Sequence, residues 1–300
     1  MDNSSTVRVW ANILVLIAAA SWGLSFVSMK AILLAGIPPM TMIAIRYGIV
    51  AFVFSLMLVF RKKKKRLNWK DHIVLFFSGL SGVVLYFWFE ARGILYTTAS
   101  NASIIIALIP IVTGLVSGLI YKMRLRFWQL MSIGISFMGA YLLISTQASS
   151  SAASDPLKGN LLMLGAVACW VLFTFIASYL HTRMDTFHAT SWQSIYGFLL
   201  LIPFALLEEG FTMTIPIHLW IHFLYLSIVC SVLAFLFYNY AVKIIGVTIV
   251  STYVNFVPVA GVLGGYLLLH ETMTPLQWMG SLFIIVSLWT VNIGKKTTSP

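Results

Sequence analysis

Charge is what this sequence is short of. Only 9% of its residues are charged against 60% apolar, and its 8 acids are outnumbered by 19 bases. A soluble domain carries roughly a quarter of its residues as Asp, Glu, Lys or Arg, so this composition excludes an ordinary water-facing surface. Cysteine is almost absent too. Cys169 and Cys230 both fall inside apolar runs, where a small buried hydrophobe is the plain reading, and two such residues make neither a disulfide framework nor a metal-ligand spacing. There is no HExxH, no Gly-rich phosphate loop and no nucleophile elbow, and the 6 histidines stand at loop or interface positions, with His72 opening an apolar run. The sequence therefore offers no enzyme site, and no cofactor is expected.

Long apolar runs are what the sequence has in abundance. A helix rising 1.5 Å per residue needs about twenty apolar residues to cross a bilayer, and runs of that length are read at 9–31, 39–60, 71–92, 98–120, 127–145, 158–180, 188–208, 217–241, 247–269 and 274–294. Strands are excluded because open edges leave peptide groups unpaired in lipid, and the runs are about twice too long for barrel strands. An all-α integral membrane protein with ten transmembrane helices is expected. Arg8 followed by an apolar run ending in "AAAS" also has the outline of a removable secretory signal. A second copy of the same element in mid-chain argues against that reading.

The copy lies 148 residues downstream. "LIAAASWGLSF" at 16–26 corresponds to "LGAVACWVLFT", and between Asn12 and Leu24 seven of thirteen positions are identical at that offset, among them Asn12 with Asn160 and Trp22 with Trp170. The offset also pairs Ser103 with Ser251, Pro110 with Pro258 and Gln129 with Gln277, while "YG" at 47–48 meets "YG" at 196–197 one residue further on. Five runs thus recur as five more, joined by the polar stretch "STQASSSAASDP". The expected division is a first unit at 1–146, a linker at 147–157, a second unit at 158–294 and a tail at 295–300. Because five is odd, the second unit enters the membrane from the opposite face, which gives inverted repeats able to take two related conformations.

Basic residues set the orientation. With the N-terminus inside, Arg8, the "RKKKKR" of 61–66 with Lys70, the three bases at 122–126, Arg183, Lys243, Lys295 and Lys296 all face the cytoplasm, 15 of the 19. Lys30, Arg92 and Lys158 fall outside, and Arg46 lies within a span. The positive-inside rule then puts both termini in the cytoplasm of a cell whose plasma (inner) membrane holds the protein. The net charge of +11 is read as topology, with anionic lipid contact as a side effect and nucleic acid not expected as a partner.

Polar and aromatic residues inside the spans are the candidates for function. Trp22 and Trp170 lie near mid-span, where an indole N–H needs a cavity or a partner on a neighbouring helix. Pro110 and Pro258 each remove an N–H and release the carbonyl four residues earlier, at Ile106 and Val254, so both are expected kinks. Ser251 and Asn255 share one helical face, with Ser103 and Ala107 as counterparts, either lining the interior or bonding helix to helix. Tyr86 and Glu90 share another face, and Tyr238 occupies the position that repeats Glu90. Arg46 and Glu90 are expected near the outer mouth as an ion pair that gates or braces it; snorkelling of either, and competition from Arg92, stay open. Thr274, Pro275 and Gln277 read as N-cap, N1 and N3 of the last helix, with Glu271 part of that entry.

Taken in order, "SWGLSFVSMK", "GILYTTASNASIIIALIP" and "LLLHETMTPLQWMG" resemble the EamA-type drug/metabolite transporters, and the resemblance covers nearly the whole chain. It implies ten helices built as a duplicated five-helix unit, and export or exchange of a small metabolite through a central cavity among the first, third, fourth, sixth, eighth and ninth helices. One departure is that the acid matching Glu271 in the first repeat is replaced by Met123. The expected cargo is an amino acid or a related amphipathic compound, bound by Trp22, Tyr86, Glu90, Ser103, Trp170, Tyr238, Ser251 and Asn255; coupling to protons or to a counter-substrate stays open. A phosphorylated-sugar or nucleotide exchanger is the alternative carrier, short of deep Lys or Arg to hold phosphate. A channel or membrane-embedded enzyme is less expected.

The orientation is directly testable. Cysteines introduced as Ser150→Cys and Thr212→Cys should react with an impermeant maleimide on intact cells, whereas Lys64→Cys and Thr298→Cys should react only after permeabilisation; labelling of Lys64→Cys in intact cells reverses the topology.

Overall fold

A computed structural model describes residues 3–61, 67–120, 153–245 and 253–293 except 255, with isolated positions at 127–142 and at 250. The described residues are helical throughout, and no strand occurs among them. The helices are numbered here α1 (Asn3–Leu34), α2 (Pro39–Phe60), α3 (Trp69–Tyr96), α4 (Ala99–Ile120), α5 (Pro156–Arg183), α6 (Thr186–Leu206), α7 (Ile217–Ile245), α8 (Phe256–Leu269) and α9 (Pro275–Ile293). Seven of the described helices, α1 to α7, are long and apolar enough to cross a membrane, and α8 and the first part of α9 are shorter apolar helices. They coincide with nine of the expected spans; the fifth, 127–145, falls largely outside the described residues.

Short polar signals set where each helix begins. Asn68 and Asp71 form a reciprocal capping box at α3, and the side chains of Thr98, Asp155 and Asp185 accept the backbone N–H three residues on at α4, α5 and α6. Thr274 and Gln277 cap α9 reciprocally, with Pro275 at its first position, as the sequence implies. Each device satisfies peptide N–H groups that lipid cannot solvate.

Packing is mostly between the two halves of the chain. α1 lies against α7 and α8, α5 lies correspondingly against α3 and α4, α2 packs on α6, and α4 packs on α8. Backbones touch where α1 crosses α8: a Cβ on Gly23, next to Trp22, would lie 2.6 Å from the Cβ of Ala260. Two helices carry a widened π turn, at Leu80–Leu85 in α3 and at Tyr225–Leu233 in α7. Shifted by 148, the first falls at 228–233, inside the second. α4 is interrupted by a turn at Ala107 and Leu108, immediately ahead of Pro110, which is the expected kink. Pro258 lies in the first turn of α8 with Val254 in a turn before it, so the proline marks a helix start instead of a mid-helix bend.

The join between α3 and α4 is the most constrained point of the fold, and two charges hold it. Thr97 and Thr98 are extended, which leaves the last carbonyls of α3 and the first N–H groups of α4 without helical partners. Lys30 is 0% exposed, and its Nζ donates to the carbonyls of Ile94 (2.7 Å), Leu95 (3.1 Å) and Thr97 (2.7 Å). Glu271, 2% exposed, accepts from Ala99 N (2.7 Å), Ser100 N (2.9 Å) and Ser100 Oγ (2.6 Å). A cation thus sits on a helix C-terminus and an anion on the next N-terminus, each matched to the local dipole. Both placements correct the expectation. Lys30 is not an outer-loop base but a buried one inside α1, and Glu271 turns away from α9, after a left-handed residue at His270 (φ 52°), to cap α4.

Removing Lys30 leaves three buried carbonyls without their donor. Lys30→Met should cost about 3 kcal/mol and lower the thermal midpoint of the detergent-solubilised protein well beyond the effect of Lys158→Met, whose side chain is exposed. Equal midpoints for the two variants contradict the role assigned to Lys30.

Candidate functional site

Between the two halves, aromatic and charged side chains from α2, α3, α5 and α7 converge. Tyr86 and Glu90 follow the π turn of α3 one helical turn apart, and the Tyr86 hydroxyl donates to Glu90 Oε1 at 2.5 Å. Glu90 is 3% exposed, and its other oxygen, Oε2, is buried without a hydrogen-bond partner. The Trp170 ring on α5 lies 4.7 Å from the Tyr86 ring and 5.0 Å from Phe173. Phe87 stands 4.7 Å from Tyr86 and 5.1 Å from Tyr47. Over the face of Phe87, at 4.8 Å, lies the Arg46 guanidinium, the geometry in which a cation is held by ring electrostatics.

The π turn of α7 receives Arg46. Ser231 Oγ accepts from Arg46 Nε (3.1 Å) and Nη2 (2.9 Å) and donates to the Leu226 carbonyl five residues back, while Ser227 donates to the Arg46 carbonyl. Nη1 faces the sulfur of Met29 at 3.7 Å. One residue before Ser231, the Cys230 carbonyl accepts the Trp22 indole N–H at 2.9 Å. Trp22 also lies 5.8 Å from Phe235 and 5.6 Å from Tyr238. A π turn misaligns the i−4 ladder and frees such groups for contacts outside the helix, which is why these segments recur at functional sites.

Of the residues expected from the sequence, Arg46, Tyr86, Glu90 and Trp170 form one group and Trp22 and Tyr238 a second, joined through residues 230 and 231. Ser103 is elsewhere. It is fully buried, donates to the Ser100 carbonyl and occupies the crossing of α4 with α8 at Gly261, so it packs helices together. Ser251 and Asn255, like Met123, lie outside the described residues. The direct Arg46–Glu90 ion pair is not made in this structure: Arg46 is taken up by Ser231 and the Phe87 face, and Glu90 by the Tyr86 hydroxyl one turn back. Arg92 instead stacks on Trp88 at 4.7 Å. Of the alternatives its mid-span position left open, Trp22 shows the partner on a neighbouring helix, its indole N–H bonded to the Cys230 carbonyl within an aromatic cluster. Ser227, Ser231, Phe87 and Phe173 went unnoticed in the sequence; the i, i+4 serines in an otherwise apolar run were the available signal.

Further polar contacts join the halves. Glu208 accepts from Met40 N (3.1 Å) and Thr41 N (2.9 Å) at the start of α2, as Glu271 accepts from Ala99 N and Ser100 N at the start of α4. Arg183 pairs with Asp71 at 2.5 Å and Arg61 with Asp185 at 3.4 Å, and His72 meets the Tyr196 hydroxyl. The hydrogen bond to Asp71 pushes the Arg183 pKa up, so that brace stays charged. Two concavities, of about 440 Å³ beside Phe60 and Phe187 and about 180 Å³ beside Tyr266 and Glu271, are lined by neither Trp22 nor Trp170.

Comparison with known proteins also finds the chain to be built of two like parts. The sequence model of the EamA-like transporter family matches twice, over residues 9–145 and 157–293. The chain belongs to that family. It is similar to the uncharacterized transporter YetK of Bacillus subtilis (strain 168), 27% identical over 83% of this chain and 77% of the relative. An uncharacterized transporter of Archaeoglobus fulgidus is 28% identical over 89% of this chain and 92% of its own length. A solved crystal structure of a protein superposes with a TM-score of 0.65 over 97% of this chain and all of that one, at 16% identity, a likeness of fold. The protein is accordingly a multi-pass membrane transporter.

The Arg46 socket makes a quantitative demand on Ser231. Ser231→Ala removes the acceptor of two guanidinium N–H groups and should cost about 2 kcal/mol, read as a lower thermal midpoint, whereas Ser81→Ala, which removes only bonds to carbonyls of its own helix, should change it little.

Proposed function

We propose that the protein is a secondary carrier that exports or exchanges a small metabolite, an amino acid or a related amphipathic compound, by alternating access between two inverted five-helix repeats. The observation that carries this reading is reciprocity. What α1 does with α7 and α8, α5 does with α3 and α4; the π turns of α3 and α7 coincide at one offset; and Trp22 and Trp170, themselves a repeat pair, each stack on the aromatic residues of the helix they cross. Repeats related in this way exchange roles when the chain opens to the other side.

In this reading the units are 1–146 and 158–294, joined by 147–157, in the plasma membrane with both termini cytoplasmic. The carboxylate caps of Glu208 and Glu271 then close the outer end, and the Asp71–Arg183 and Arg61–Asp185 pairs close the inner end. Opening either side breaks a handful of polar contacts while the aromatic cluster stays in place, so the two conformations differ by an energy that substrate binding can offset. Ring faces with few charges favour a cargo that is part apolar and part polar.

Reconstitution into proteoliposomes with a panel of amino acids, nucleosides and phosphorylated metabolites, with and without a pH gradient, tests the class. Trp22→Ala and Trp170→Ala should each reduce counterflow about ten-fold or more at unchanged amounts of folded protein, and Trp22→Phe should keep more activity by preserving the aromatic face. Alanine variants that fold and transport normally refute a carrier site at these rings.

A further inference from the structure

We propose that Arg46 and Glu90 are the two ends of a zwitterion site, and that the compound carried is an α-amino acid whose carboxylate meets Arg46 Nη1 and whose ammonium meets Glu90 Oε2. This rests on the carrier reading above and assigns the charges within it. The starting point is that both groups are buried, at 6% and 3% exposure, and neither is completed by the other. Arg46 commits Nε and Nη2 to Ser231 and presents Nη1 to a methionine sulfur at 3.7 Å, a weak acceptor. Glu90 commits Oε1 to Tyr86 and leaves Oε2 without a partner. Each charge therefore keeps one open position, and the two open positions are of opposite sign.

The surroundings prevent the short circuit. Phe87 lies against both the Arg46 guanidinium and the Tyr86 ring, so the two charges attract one another without closing into a bonded pair. Among the described residues, the ionisable groups whose fields reach Glu90 are Arg46, Tyr47 and Tyr86; α5 contributes Trp170, which carries no charge. Arg46 is the only cation among them.

Charge balance then selects the ligand. In a low-dielectric interior an unmatched ion costs several kcal/mol. An amine completes Glu90 and leaves Arg46 open; a carboxylic acid does the reverse; a compound carrying both completes both and adds no net charge. The side chain of an amino acid so held meets ring faces, those of Tyr86, Trp170 and Phe173, which take apolar groups without demanding one shape. Phosphate is poorly served, because Arg46 has already committed two of its donors and no second cation faces the site among the described residues. The repeat position of Glu90 is the uncharged Tyr238, so the second half supplies no duplicate of this pair.

The test uses matched trios on the full-length wild type: an α-amino acid, the amine that lacks its carboxylate and the acid that lacks its ammonium, for instance phenylalanine, phenethylamine and 3-phenylpropionate, and the corresponding leucine and alanine sets. Thermal stabilisation in detergent and counterflow in proteoliposomes should favour at least one amino acid over both of its singly charged analogues by roughly ten-fold or more. Glu90→Gln should lose discrimination against the acid, and Arg46→Gln discrimination against the amine. If either variant fails to fold, the wild-type trio alone decides. Equal handling within every trio, preference for a singly charged member, or transport confined to other compounds overturns the zwitterion assignment and leaves the carrier standing. Transport that follows a pH gradient and becomes pH-independent in Glu90→Gln, with selectivity within the trio unchanged, overturns it in favour of proton carriage by Glu90. Folded protein that moves nothing in the wider panel removes the carrier reading itself.

Discussion

Peptide groups in lipid have no water to fall back on, and at the joint between α3 and α4 that constraint governs the protein. The chain must leave one helix and start another within two extended residues, buried, without stranding the carbonyls of the first or the amides of the second. Lys30 and Glu271 meet the demand from opposite directions, one from α1 and the other from the turn after α8. Neither would be tolerated alone at such depth. Each finds a cluster of backbone dipoles of the opposite sign, which replaces hydration more completely than a single counter-ion could. α1, α4 and α8 meet there, so the same contacts hold these three helices together.

The same economy of polar groups explains the socket around Arg46. A buried guanidinium needs acceptors, and the carbonyls inside a regular α-helix are already bonded along the ladder. The π turn of α7 changes that, with Ser231 free to bond outward to Arg46 and back to Leu226, and the Cys230 carbonyl open to Trp22. Phe87 adds a ring face to the remaining side of the cation. One irregular turn therefore positions residues of both aromatic groups.

The helices, the last helix's cap and the duplication were legible in the sequence because they are local or repetitive: apolar length, Thr274 with Gln277, Trp22 with Trp170. Residues that act by bonding to a distant backbone were not. Lys30 reads as an outer base because nothing in "SMKAILL" indicates three carbonyls 64 to 67 residues away, and Glu271 reads as part of the helix nearest to it in sequence. Arg46 and Glu90 were correctly placed in one region, but pairing by sign alone missed Ser231 and Phe87, whose roles depend on a turn geometry that hydropathy does not encode. Ser103 was selected by symmetry, and the structure places it at the crossing of α4 with α8.

The register of the two π turns also bears on ancestry. A π turn takes up one residue more than an α turn, so it enters a helix as an insertion, and the two lie at the same offset that matches the tryptophans and prolines. An insertion shared in register speaks for a common origin of the two parts of the chain. What changed afterwards is what the turn displays: Ser81, Gly82 and Val83 in one copy stand opposite Val229, Cys230 and Ser231 in the other. The irregularity is common to both parts, and the grip on Arg46 belongs to the second alone.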